Sequence, residues 1–373
     1  MRVLAFARYG PQAASTRQRL LQYIPHLSGA GIEVDYHWLL PDDYVQSLVR
    51  GEPYPRWRIA GHYARRMRQL FRPDYYDVMW VYSDLFPYFP AFLERFFSSR
   101  QRPIVYDLDD AFFHQYDDSA SPLVRGFLGG KFASLLDRAS ACCCGNGYLR
   151  EYAARYCSNS VVIPTVVDTA VYKPLVQKPG KGPVVIGWIG SPTTWPNVRP
   201  LLPLLQHLCA EQDVCVRVVG AGPAAERDRF PGLELVEWNE ATEVAEVQRM
   251  DIGIMPLFDG PFERGKSGYK LIQYMACGLP VVASPVGVNR EIVIESENGF
   301  LATDEPEWRD ALTRLISDPA MRFRLGSVGR SIAEAKFSVA SQAPRLVEIL
   351  KLAAMGDLAP SAHATAASAQ GIR

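Results

Sequence analysis

Twice along this sequence, short apolar runs that end near glycine or aspartate alternate with segments of helical spacing. Strands separated by helix-length segments pair in parallel, because each return to the same edge of a sheet needs a crossover. The first series reads Arg2–Phe6, Ile32–His37, Asp77–Val81, Pro103–Leu108, Ser140–Cys144 and Val161–Pro164. The second reads Val184–Ile189, Val214–Val219, Leu233–Glu237, Ile252–Pro256 and a run that starts at Val281. Between them lies Lys173–Pro183, KPLVQKPGKGP, rich in Pro, Gly and Lys and without apolar period. The expectation is therefore an α/β chain of two doubly wound, Rossmann-like domains. Residues 1–172 make the first, 173–183 the linker and 184–340 the second. A helix over 341–355 is predicted to cross back to the first domain, and the Ala/Ser-rich tail 356–373 to be disordered.

Composition narrows the function. The 373 residues are 48% hydrophobic and 21% charged, with a formal net charge of +0, so no global field argues for nucleic acid. The start, MRVLAFARYG, is broken by Arg8 and reads as a strand rather than a signal peptide. No stretch approaches ~20 uninterrupted apolar residues, so no membrane span is expected. The seven cysteines lack metal-ligand spacing, and Cys142, Cys143 and Cys144 read as small apolar residues of a buried strand. These features fit a reducing cytoplasm.

The stretch Glu263–Ser284, ERGKSGYKLIQYMACGLPVVAS, reads as loop, short helix, tight turn and buried strand. Ser267 is placed to cap the helix. Leu271, Ile272, Met275 and Ala276 give an apolar face, and Lys270, Gln273 and Tyr274 another. Gly278 suits a left-handed turn, and Pro280 stops continuation. Lys266, Ser267 and Gly268 then lie beside free N–H groups at a positive dipole end, which is an anion site in chemical terms. A capped surface helix with two solvated lysines fits the same pattern. In the first series, Gly10-Pro11 precedes Ser15 and Gln18, a capping-box pair. Arg17 and Arg19 follow in the first turn, where cations oppose the dipole: they meet an anion or are simply exposed. Asp107-Leu108-Asp109-Asp110 ends a strand and is either part of a ligand crevice or a helix cap. Arg50–Arg72 is basic and aromatic, a pattern for an anionic membrane surface or for a solvated face.

Lys270-Leu271-Ile272-Gln273-Tyr274-Met275-Ala276-Cys277-Gly278-Leu279-Pro280-Val281-Val282-Ala283 resembles the donor-site signature of retaining glycosyltransferases of family four, which have the GT-B fold. So does Val162-Ile163-Pro164-Thr165-Val166-Val167-Asp168, the segment before their linker. The resemblance implies two Rossmann-like domains facing each other across a cleft. It implies a nucleotide-sugar as co-substrate, no metal or other cofactor, and a glycan or lipid-linked acceptor. It makes Lys270 and Lys266 the groups that neutralise the donor diphosphate, and the backbone from Ser267 through Gly268 to Tyr269 its cradle. Gly190, Ser191 and Glu237 join the donor-binding set, while Gly10, Ser15, Arg17 and Arg19 face the acceptor.

Several positions depart from the pattern. Gln273 stands where the family has a glutamate for the ribose hydroxyls. The earlier family glutamate falls at Gly265, with Glu263 as a nearby substitute. The family's Arg and Lys after the first strand of the second domain are absent from Gly190-Ser191-Pro192-Thr193-Thr194, which leaves their work to Lys266. A family histidine that reaches the donor sugar matches Asp109. With Lys270, Asp109 and Asp110 are the catalytic candidates, favouring positive charge at the anomeric carbon or orienting the acceptor hydroxyl. The expected activity is sugar transfer with retention, in cell-surface polysaccharide or glycolipid synthesis, by a cytoplasmic enzyme peripheral to the membrane. The rival readings are a non-catalytic nucleotide-sugar-binding subunit of the same fold and a nucleotide-sugar 2-epimerase.

Overall fold

The two strand series form two parallel six-stranded sheets in a computed structural model that describes residues 1–71, 75–98, 102–175 and 182–358. The first sheet holds β1 (Arg2–Tyr9), β2 (Glu33–Leu40), β3 (Val78–Tyr82), β4 (Ile104–Leu108), β5 (Ala141–Cys144) and β6 (Ser160–Val162). Its order is β2-β1-β3-β4-β5-β6. The second holds β7 (Val184–Ile189), β8 (Val214–Val219), β9 (Leu233–Val236), β10 (Ile252–Met255), β11 (Val281–Ala283) and β12 (Gly299–Leu301), in the order β12-β11-β10-β7-β8-β9. Register follows the apolar pattern: Phe6 pairs with Val81, Trp188 with Val218, and Gly253 with Val281.

Helices cover both faces, so central strands are mostly apolar runs rather than alternating ones. Every residue of β3, β4, β5 and β10 is buried, and all three adjacent cysteines are free thiols inside β5. In the first sheet, strand order reverses between β1 and β3; in the second, between β7 and β10. Such a reversal parts the loops at the carboxyl edge and opens a crevice for ligands.

The described chain divides into two compact units. One is Met1–Thr165 with Arg264–Ser267 and the chain from Gln342 onward; the other is Val166–Glu263 with Gly268–Ser341. Within the expected linker, 176–181 lie outside the described residues, as do 359–373 of the expected tail and Arg72. Among the described residues no helix is long and apolar enough to cross a membrane.

Local readings needed correction in three places. Ser15 does not cap: the helix Ala14–Arg19 starts from Ala13 without a side-chain cap, and a 3-10 turn at Leu21–Tyr23 separates it from Ile24–Gly29. Ser267 does not cap either. Gly268, at φ 67°, is the N-cap of Tyr269–Ala276, and a side chain there would strain the left-handed backbone. Tyr274 is not on a polar face: it is fully buried, its hydroxyl accepting from the Ile189 N–H at 3.0 Å. The helix is buried from Leu271 to Ala276 because it packs on β10 and against the helix Pro319–Lys336.

Candidate functional site

In the first unit, the candidate residues gather at the carboxyl edge of β1, β3 and β4. Asp109 follows β4, is 5% exposed, and accepts from the Tyr82 hydroxyl at 2.6 Å. Burial pushes its carboxyl up to about 7; neighbouring Asp110 adds to the rise and Arg19 opposes it. Ser15 hydrogen-bonds the same Tyr82 hydroxyl. A line Ser15–Tyr82–Asp109 therefore runs from the first helix after β1 to the end of β4. Asp110 is half-buried, and its carbonyl accepts from the Phe112 N–H at 2.8 Å.

Arg19 is not an acceptor ligand. It is fully buried, with Nε 2.7 Å from Asp107 Oδ1 and Nη1 donating to the Ile163 carbonyl at 2.8 Å. It ties the first helix to β4 and to the chain after β6. Gly10 is buried and donates to the Leu40 carbonyl; Arg17 donates to the Gln12 carbonyl at 2.7 Å, bracing the loop between. Of the four residues expected to face an acceptor, Ser15 touches the Asp109 line, Gly10 and Arg17 build the loop, and Arg19 anchors the helix.

Lys266 belongs to this unit by its packing. Asn146, at the end of β5, donates to the carbonyls of Gly265 at 2.9 Å and Lys266 at 3.0 Å. Its Oδ1 also caps the helix Gly147–Ala153 by accepting from Leu149 N–H. Gly265 presses on Ala111: a Cβ there would lie 2.4 Å from the Ala111 Cβ and 2.9 Å from its backbone nitrogen. The gap in the family pattern at this position is thus a packing requirement.

In the second unit, the reversal between β7 and β10 places Gly190 and Ser191 at the carboxyl edge. A Cβ at Gly190 would sit 2.4 Å from the Trp188 ring and 2.9 Å from Lys270 Cε. Lys270 Nζ stands 5.6 Å from the Trp188 ring centroid, a cation–π distance. Its stem therefore runs past Gly190 from the first turn of Tyr269–Ala276. Ser191 is exposed, its hydroxyl 2.9 Å from that of Thr193, and Glu237 is exposed just past β9. Gln273 is 3% exposed and spends its amide N–H groups inside the unit, on Glu243 Oε1 at 2.8 Å and Tyr172 OH at 3.1 Å. Trp238 Nε1 donates to the other Glu243 oxygen at 2.7 Å. The acid missing at 273 thus reappears as Glu243, one helix away.

Residues 183–318 match the family model of the glycosyl transferases group 1. The match runs from β7 past β12 to the end of the helix Glu305–Ser317. A D-inositol 3-phosphate glycosyltransferase of Xylanimonas cellulosilytica is 30% identical over 145 residues, 38% of this chain and 30% of that protein. The chain therefore spans less than a third of that curated relative's own length. Among solved structures, a sucrose-phosphate synthase from Thermosynechococcus elongatus superimposes with a TM-score of 0.70 at 16% identity, over 94% of this chain and 98% of that one. Anabaena HepE in complex with UDP and glucose does so with a TM-score of 0.66 at 17% identity, over 94% and 99%. The likeness covers both sheets and shows the fold, the two-domain α/β arrangement of GT-B glycosyltransferases.

Sequence reasoning missed Tyr82, Asn146, Trp188 and Glu243. The cap at Asn146 is local to Gly147–Ala153; its second role needs an amide meeting a segment over a hundred residues away. Trp188 is an apolar strand residue by pattern, and only the third dimension lays Lys270 across it.

Proposed function

We propose that this chain is a retaining glycosyltransferase. It takes a sugar from a nucleotide-sugar and passes it to a hydroxyl of a glycan or lipid-linked acceptor, in synthesis of cell-surface polysaccharide or glycolipid. The observation that carries the reading is the seat of Lys270, held between Gly190 and the Trp188 ring at the switch point of the second sheet and at a helix start. A cation in a first helical turn opposes the dipole, and a bound diphosphate turns that arrangement favourable. HepE, with the same fold, has been solved with UDP-glucose.

As the glycosidic bond breaks, negative charge grows on the β-phosphate. Lys270, Lys266 and the backbone N–H groups from Ser267 to Tyr269 oppose that charge, tightening on the transition state. Gly190, Ser191, Glu237 and Gln273 complete the donor set, with Gln273 fixed by Glu243 and Tyr172. Asp109, half-ionised near neutral pH, orients the acceptor hydroxyl, with Asp110 beside it. Ser15 steadies that side through Tyr82. This chemistry calls for no metal or other cofactor. The enzyme works in the cytoplasm at the membrane surface, through the exposed Arg56, Trp57, Arg58 and Arg68 of the helix Arg56–Leu70.

A panel of nucleotide-sugars, UDP-glucose first, tests the reading. The purified protein should release nucleoside diphosphate in step with glycosylation of an acceptor extract, and the product should keep the donor's anomeric configuration. Binding without release would instead mark a non-catalytic subunit, and release of the 2-epimer would mark an epimerase.

A further inference from the structure

Arg8 is the next-to-last residue of β1, at the carboxyl edge where the first sheet reverses between β1 and β3. Its guanidinium is largely buried, and Nε is shut off from solvent without a hydrogen-bond partner. It has a long bond from Nη1 to Gln115 Oε1 at 3.4 Å and the Tyr9 ring at 5.5 Å. Among the described residues it has no ion-pair partner. The acid it feels most, Asp84, is already engaged by Lys131 Nζ at 2.5 Å and the Tyr116 hydroxyl at 2.9 Å. Buried cations ordinarily sit on an acid.

The loop after β3 faces this cation and is held in an unusual shape. Ser83 and Tyr88, neither of them glycine, take left-handed backbone with φ of 64° and 61°. Such conformations persist only where surroundings impose them. Here Lys131 and Glu94 bind the Phe86 carbonyl and the Leu85 and Phe86 N–H groups from beneath. Arg66 takes the Leu85 carbonyl, and the Tyr63 hydroxyl takes that of Pro87 at 2.8 Å. The Tyr88 N–H donates to the Tyr116 hydroxyl at 3.2 Å. Tyr88 is thereby presented with its side chain out, 58% exposed and edge-on to Tyr116 at 5.6 Å. It is a fixed aromatic face beside a cation whose nearest acid, Asp84, spends its hydrogen bonds on Lys131 and Tyr116.

We propose that Arg8 anchors an anionic group of the acceptor, a phosphate or a carboxylate, while the Tyr88 ring carries the apolar face of the sugar that bears it. The word acceptor rests on the glycosyltransferase reading; the anion site itself does not. An arginine fork suits either oxyanion through paired N–H bonds. The acceptor would then be a sugar phosphate or uronic-acid unit rather than a neutral glycan.

Calorimetric titration of glucose 1-phosphate, glucuronate and glucose into the full chain tests this. The parent should bind at least one of the two anions tenfold or more tightly than glucose. Which of them wins separates phosphate from carboxylate. Arg8→Gln should abolish that preference, Arg8→Lys should keep part of it, and Tyr88→Ala should weaken both anion and glucose. UDP affinity should not change in any of the three. Equal binding of all three ligands by the parent would overturn the proposal. So would a preference that survives Arg8→Gln but vanishes in Lys270→Ala, since the anion would then lie at the donor helix. If no nucleotide-sugar is turned over yet the Arg8-dependent preference persists, the transferase reading fails and the anion site stands. Circular dichroism of Arg8→Gln, with Arg8→Lys beside it, separates lost binding from lost folding.

Discussion

The two sheets share one plan and treat charge in opposite ways. At the carboxyl edge of the first, ions are buried: Arg19 with Asp107, and Lys131 between Asp84 and Glu94, all with side chains at most 2% exposed. Arg66 is fully buried as well, and burial lowers its affinity for the proton to a pKa of about 9. At the same edge of the second sheet, the buried groups are mainly neutral. Trp188 stands against Trp195, and Glu243 is shared among Tyr172, Trp238 and Gln273, while Lys270 keeps part of its surface in water. Buried ions fix loop geometry, because breaking a pair leaves a stranded charge. A partly exposed lysine on an aromatic ring instead keeps part of its hydration. The first unit buries its charges in pairs, and the second keeps its lysine against an aromatic ring.

The largest effect expected from this contrast is structural. Lys131→Met strands Asp84 and Glu94 and should destabilise the protein by about 3–5 kcal/mol in urea unfolding. Adding Asp84→Asn and Glu94→Gln should recover much of it; an unaltered single mutant would show that the ions carry no loop. In the second unit, Lys270→Ala should leave folding nearly unchanged and cut turnover by ~10²–10³, or roughly 3–4 kcal/mol of transition-state stabilisation. Lys270→Arg should restore part of it, and EDTA should do nothing to either rate. Near-normal turnover in Lys270→Ala would erase the distinction between the two edges.

Asp109 gives a smaller, pH-dependent effect. Its folded pKa lies near 7, above the value of about 3.9 expected unfolded, so the unfolded chain loses this proton first as pH rises. The native state then holds more protons between those values, and stability falls from pH 4 to pH 7. Asp109→Asn should therefore match the parent at pH 4 and exceed it at pH 8 by on the order of 3 kcal/mol. Equal unfolding midpoints at pH 8 would mean the carboxylate is not penalised. Smallest is the membrane term. Arg56→Gln, Arg58→Gln and Arg68→Gln should each weaken binding to anionic vesicles by about 1 kcal/mol in co-sedimentation. Arg65 and Arg66, which share that helix, point inward to the carbonyls of Trp38, Leu39, Ala7 and Leu85, and changing them would test folding instead.

The parallel strands were legible because buried strands are rich in consecutive apolar residues, and β7 and β8 matched their expected limits residue for residue. Strand β12 went unread, since its three residues begin with a glycine and form no run. The helices between β4 and β5 were equally silent: they are four to seven residues long, too short for a period to show. Among the candidate residues, Lys270 stands out in sequence because a lysine in a first helical turn is locally unfavourable. Arg19 misled because it closes the helix Ala14–Arg19 rather than opening it, and because the acid that satisfies it, Asp107, is 88 residues away. Local electrostatics reveals an unmet need and cannot say whether the chain or a ligand meets it.

The contact between Gly265 and Ala111 bears on how this site can be re-engineered. A designer who compared the sequence with its relatives would be tempted to put a glutamate back at 265. The obstruction includes the Ala111 backbone nitrogen as well as its side chain, so trimming residue 111 to glycine would not clear it. Any library that restores an acid there has to reshape the turn after Asp110 in the same step, and single-site saturation at 265 will return glycine.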